Sequence, residues 1–178
     1  MKVYVLSKLM WNKDRDVNKL ISDFNRYSFG KEAAEKMDDF VFFNDTYFEQ
    51  VASSGATYKL AGIYDVGSSW LISEETLNVD YVRRAESFVL QAKDIIESDT
   101  SISQKLRNTR LDNLSKAEAM IDMMKYLNYD SLWKTTNAEK DKFLRSFYAR
   151  VKKIRDLTYF GGKTWGTVAE EFAKYGIY

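Results

Sequence analysis

Three pairs of adjacent carboxylates, Asp38–Asp39, Glu74–Glu75 and Glu170–Glu171, are the first residues in this sequence whose types could do chemistry. Glycoside hydrolysis and general acid–base catalysis need two acids, held on either side of the bond to be broken. Adjacency works against that arrangement, because neighbours on a helix point about 100° apart. Each pair should therefore diverge instead of facing across a substrate. Glu74 and Glu75 also fall where a first helical turn is expected, and there negative charge is favoured by the macrodipole. Asn12, Asp14 and Asp16 have the letters of a calcium-loop start, but the glycine and the distant bidentate glutamate of that motif are missing. Capping is the better reading of Asp16.

Aromatic rings in breaks between helices form the second constellation. Trp11, Tyr64, Trp70 and Trp133 are placed so, and exposed rings of this kind stack on sugars or nucleobases. The competing reading is that they plug gaps between helices. Gly161-Gly162-Lys163-Thr164 ends like a phosphate loop, but it lacks the first glycine at the right spacing and a preceding strand. It reads as a helix end followed by a new cap at Thr164.

Absences exclude more than the motifs assert. The 178 residues contain no Cys, no His and no Pro. Disulfides, thiol nucleophiles, histidine triads and Cys- or His-ligated metals are thereby ruled out. No cofactor is expected. The lack of proline suits long, unbroken helices. A net charge of +1 gives no field to steer the chain to nucleic acid. Charge is nonetheless uneven: residues 31–50 hold six acids and two lysines, and residues 134–155 hold eight Lys and Arg against Glu139 and Asp141. A solvated helix face explains both stretches better than a binding patch. No stretch reaches the roughly 20 apolar residues of a membrane span. The N-terminal apolar residues run into a helical pattern broken early by Lys8, with no cleavage site after it. Met1 is therefore expected to be an imposed start within a longer polypeptide.

The elements that must position any site are helices. Residues 73–127 carry the longest helical period, read as two helices and a tight turn at Ser98-Asp99-Thr100-Ser101. Val82, Ala85, Phe88, Val89, Ala92, Ile95 and Ile96 line the first. Leu106, Leu111, Leu114, Ala117, Ile121, Met124 and Leu127 line the second. Spacings of three and four place each set on one stripe, and a short turn folds the two stripes together as an antiparallel hairpin. Ser101 and Gln104 fit a capping box for the second helix.

Shorter helices are expected around this hairpin. Residues 2–10 would turn Val5, Leu6, Leu9 and Met10 inward. A helix capped by Asp16 would bury Val17, Leu20, Ile21 and Phe24 and stop near Gly30. Lys31 to about Val51 would bury Ala34, Met37, Val41, Phe48 and Val51, with Phe40, Phe42 and Phe43 widening that face. Residues 53–72 are a Gly- and Ser-rich connection with some helix around Tyr58–Ile63. A box at Thr136 and Glu139 opens a sixth helix through Phe143, Leu144, Phe147, Tyr148, Val151 and Ile154. A last helix carries Trp165, Val168, Phe172 and Tyr175, and no strand is expected. The expected fold is an all-α bundle of about six to seven helices, residues 1–178 forming a single helical domain.

One resemblance goes further. Tyr4-Val5-Leu6-Ser7-Lys8-Leu9-Met10-Trp11-Asn12, then Asp16-Val17, Phe24, and Phe29-Gly30-Lys31-Glu32-Ala33-Ala34 carry its first part. Ile63-Tyr64-Asp65, Leu71-Ile72-Ser73-Glu74-Glu75, Ala85 to Ala92 and Leu106-Arg107-Asn108-Thr109-Arg110-Leu111 carry the rest. Nearly the whole chain resembles the helical C-terminal domain of an uncharacterised family of α-glucuronidase-like bacterial glycoside hydrolases. The resemblance implies a parent with a small α/β domain and a catalytic (β/α) barrel ahead of this domain, secreted, periplasmic or at the cell surface. The domain itself would be non-catalytic, packing on the barrel and contributing to dimer contacts. No catalytic residue carries over, because none of the barrel is present. Trp11 and Asn12 match the family motif and would lie near the barrel. Together with Tyr64 and Trp70 they are the substrate-binding candidates.

The expected partners are thus the preceding barrel, carbohydrate and a second copy of the chain, with no nucleic acid. An apolar face should be bare around Met10, Trp11 and residues 53–72. The rival expectation is a stand-alone helical module that binds a protein or peptide in a groove. A third assigns nucleic-acid binding to the basic helix from Lys134 to Arg155, and its mark would be steep weakening with salt.

Overall fold

A computed structural model describes residues 1–51, 53, 78–127, 136–153, 159–160, 163–164, 173 and 176. The fold is all-helical. Its helices are α1 (Lys2–Trp11), α2 (Val17–Phe29), α3 (Lys31–Val51), α4 (Val79–Ser98), α5 (Gln104–Leu127) and α6 (Asn137–Lys153). The strands among the described residues are a minimal antiparallel pair, β1 (Tyr159–Phe160) and β2 (Lys163–Thr164), which pairs Tyr159 with Thr164 and Phe160 with Lys163. Thr164 is therefore a strand residue and not the expected helix cap. Gly161-Gly162, between the paired residues, and most of the expected last helix lie outside the described residues.

Side-chain caps set several helix starts. The Asp16 carboxylate accepts from the backbone N–H groups of Asn18 (2.8 Å) and Lys19 (3.2 Å) at the head of α2. The Asn78 amide oxygen accepts from Tyr81 N–H at 2.8 Å and opens α4. The expected box at α6 is closed: Thr136 N–H and Oγ1 both donate to Glu139 Oε2, at 2.9 and 2.7 Å, and Glu139 N–H donates to Thr136 Oγ1 at 3.3 Å. At α5 the cap is Ser103, whose Oγ accepts from Leu106 N–H at 3.3 Å. Ser101 bonds back to Asp99 instead, so the box expected at Ser101–Gln104 sits two residues too early. Hydroxyls at both 101 and 103 made that choice ambiguous.

Contacts divide the chain into two compact units, residues 1–47 with 84–117, and residues 48–83 with 118–178. In the first, α1 packs on α2 through the Tyr4 and Phe24 rings, whose centroids are 5.6 Å apart. Leu20, Phe29, Ala33, Ala34, Met37 and Phe40 are buried, with Ala85, Phe88, Val89, Ala92 and Ile96 of α4 and Leu114 of α5. The expected α4 stripe is thus nearly all buried, and each large member contributes about 1.5–3 kcal/mol. In the second unit, Leu144, Phe147 and Val151 of α6 form a core against which Met123, Tyr126, Phe143 and Tyr148 pack.

Four expected faces are corrected. In α3 Phe42, expected on the inner face, is exposed, and the buried residues are Ala33, Ala34, Met37 and Phe40. In α1 no residue is fully buried. The half-buried residues are Tyr4, Val5, Lys8 and Leu9, whereas Leu6 and Met10 point outward. The packing arc is rotated by about one position, because Tyr4 and not Leu6 meets Phe24. Val17 of α2 is exposed, and Asn25, Ser28 and Phe29 are buried with Leu20. In α5 Leu106 is exposed, Leu114 and Ile121 of the expected stripe are buried, and beyond Ala117 the buried face widens to include Ala119 and Asp122. That change falls where α5 passes from one unit into the other. The expected helix at 58–63 and the turn at 128–135 lie outside the described residues, as does the stretch 73–77 where α4 was expected to begin.

Candidate functional site

Of the four substrate-binding candidates, Trp11 and Asn12 are described; Tyr64 and Trp70, like Trp133, lie outside the described residues. Trp11 ends α1 and is 91% exposed. On the same helix Val3 is 82%, Leu6 61% and Met10 88% exposed. Positions 3, 6 and 10 follow helical spacing, so α1 carries an apolar stripe directed away from α2, and the exposed Trp11 indole stands at the helix end about 100° around from Met10. Asn12 plays a different part. Its backbone N–H donates to Lys8 O at 3.2 Å and its side-chain oxygen accepts from Asp14 N–H at 3.0 Å. The side chain thus shapes the turn into α2, and Lys13 pairs with Asp14 at 2.8 Å on its surface.

The carboxylate pair in the described part of the chain diverges as adjacency requires. Asp38 accepts from the Ser22 hydroxyl at 2.8 Å and the Asn25 amide at 2.7 Å. Asp39 pairs with Lys36 at 3.7 Å instead. Glu74–Glu75 and Glu170–Glu171 lie outside the described residues. Among the described residues no three acidic groups converge as metal ligands, and no helix is long and apolar enough to cross a membrane.

Two polar clusters escaped the sequence reading. In the first unit, Arg107 donates to the Asp99 carbonyl, and Arg110 Nη1 approaches Asp99 Oδ2 at 3.4 Å. The Arg110 guanidinium lies against Gly30, and the Asn113 amide donates to Ser28 O at 3.2 Å. The end of α2 is thereby tied to α5. In the second unit, Arg150 of α6 approaches Glu118 Oε2 at 3.3 Å and pairs with Asp122 Oδ2 as well. All three side chains are largely buried. The separation of these partners in sequence left no local pattern to read.

Hydrogen bonds from the Ser101 hydroxyl and backbone N–H hold Asp99 below the ordinary carboxylate range, with Arg110 and Arg107 adding to the effect. Thr136 holds Glu139 low in the same way, first through its backbone N–H and then through its hydroxyl. Burial pushes the Tyr47 phenol above its ordinary value. A carboxylate depressed by folding stabilises the fold above its unfolded pKa and loses that contribution as pH falls through the lower, folded value. Asp99→Asn should therefore flatten the acid limb of a stability-against-pH curve below the ordinary carboxylate range. An unchanged limb in urea titrations of the variant would show that Asp99 is not held low.

No family model, curated protein or solved structure matches the chain.

Proposed function

We propose that this chain is a non-catalytic helical accessory domain of a carbohydrate-active, glycoside-hydrolase-like bacterial protein that is secreted, periplasmic or held at the cell surface. It packs on a (β/α) barrel of the same polypeptide, and its frame is α4 and α5 paired as an antiparallel hairpin. The bare apolar stripe of α1 carries this reading. Val3, Leu6, Met10 and Trp11 face solvent, although burying each would gain about 1.5–3 kcal/mol. Large exposed apolar patches of this kind mark interaction sites. Trp11 and Asn12, which match the motif of the resembling family, adjoin the end of this stripe, which supports reading this end of α1 as the surface that would meet the barrel. The same stripe also suits the rival reading, a stand-alone module that docks a protein or peptide.

With the stripe uncovered, the purified 178-residue chain should self-associate with rising concentration in sedimentation runs. Met10→Glu and Trp11→Glu together should return it to monomer, since both side chains are solvent-facing and their replacement leaves the packed arc of α1 intact. Aryl glycosides and glucuronides should not be hydrolysed. A wild-type chain that stays monomeric at all concentrations counts against α1 as a docking face. Turnover by the purified chain would overturn the non-catalytic reading.

A further inference from the structure

The cleft between α2 and α3, which the α1 stripe does not share, combines hydrogen-bonding groups with a bare ring. It is an open groove of about 350 Å³ lined by Asn18, Ile21, Ser22, Asp38, Phe42 and Asp45 among others, a volume in the range of small-ligand sites. Phe42 is 74% exposed, and a helix of otherwise inward phenylalanines gains nothing in stability from leaving one ring in water. Both oxygens of Asp38 already accept a hydrogen bond, from the Ser22 hydroxyl and from the Asn25 amide. The carboxylate is thereby fixed in orientation, with acceptor capacity left over. Asn18 adds an amide that can both donate and accept, and Asp45 adds a second, exposed carboxylate.

From this combination we infer that the α2–α3 cleft binds a neutral pyranose ring, its apolar face against Phe42 and its hydroxyls donating to Asp38 and Asp45. The cleft presents acceptors in excess of donors, and hydroxyl groups supply the missing donors. Two carboxylates with no Lys or Arg among the lining residues repel any anionic sugar or phosphate. For a simple organic cation, much of the Asp38 charge is already engaged by Ser22 and Asn25, which leaves the exposed Asp45 as the carboxylate to pair with it, a weak contact in water. The site stands on the chemistry of the cleft and is independent of the accessory-domain reading.

Backbone amide spectra of the intact chain, titrated with methyl hexopyranosides, test the site. Saturable shifts are expected at Asn18, Ser22, Phe42 and Asp45. Phe42→Ala should weaken binding by about fivefold or more, through loss of the ring face. Asp45→Asn should weaken it far less, because an amide oxygen still accepts from a hydroxyl. Trp11→Ala should leave binding unchanged, which separates this cleft from the α1 stripe. Three results would overturn the inference: no saturable shift with any glycoside, shifts indifferent to Phe42→Ala, or tighter saturation of the same amides by butylammonium that Asp45→Asn abolishes.

Discussion

Gly30→Ala is expected to cost the fold about 2–3 kcal/mol, more than most single-methyl additions at a helix end. Two separate effects add. Gly30 closes α2 at φ +89° and ψ 165°, an extended positive-φ conformation open almost only to glycine, where a side chain costs about 1–2 kcal/mol. An added Cβ would also sit 2.5 Å from Arg110 Nη1 and 2.6 Å from Arg110 Cζ. The guanidinium must then move, and it gives up its position against Asp99, which it approaches at 3.4 Å. Urea unfolding should show the loss as a lower midpoint at unchanged slope. In an Arg110→Ala background the steric part is gone, so the same Gly30→Ala change should cost only about 1–2 kcal/mol, the backbone part alone. Equal costs in the two backgrounds would mean that the guanidinium does not press on Gly30.

Arg150→Met should be nearly as damaging, at roughly 3 kcal/mol, and for an electrostatic reason. Arg150 is the cation shared by Glu118 and Asp122. Removing it takes a shared cation from two largely buried carboxylates one helical turn apart, and losing one partner of a buried pair costs far more than the pair contributes when complete. The methionine keeps most of the volume, so packing loss is a small part of the effect. Adding Glu118→Gln and Asp122→Asn to Arg150→Met should restore most of the stability, because the repulsion between the two carboxylates is then removed. A triple variant no more stable than Arg150→Met would show that Arg150 acts through packing instead of charge.

These two positions show where the sequence was legible and where it was not. Gly30 could be read as a helix end, because a glycine after a periodic stripe is a local signal. Its contact with Arg110 could not, because that pairing spans eighty residues of chain. The caps at Asp16 and Thr136 and the α4 stripe from Val82 to Ile96 were legible for the same local reason. The stripe of α1 was misread because Val3, Tyr4, Val5, Leu6, Leu9 and Met10 surround the helix almost evenly. Which arc is buried depends on the partner ring, Phe24. In α5 a single stripe was expected, yet past Ala117 the buried face widens from Ile121 to Ala119 and Asp122, where the helix belongs to the second unit. The two-residue strand pair around Gly161-Gly162 was too short to leave a period. Of the candidate site, the exposed Trp11 was legible as an aromatic at a helix break. The cleft below Phe42 was not, because it needs Ser22 and Asn25 brought to Asp38 by a second helix.

The two units also differ from ordinary modules in how the chain threads them. Each is assembled from two separate stretches, and α3, α4 and α5 each cross from one to the other. No truncation from either terminus can therefore deliver the first unit alone. Residues 48–83 would have to be excised and the severed ends of α3 and α4 spliced through a synthetic bridge. A nuclease-trimmed expression library, which shortens genes only from their ends, should yield folded products near full length and none at half.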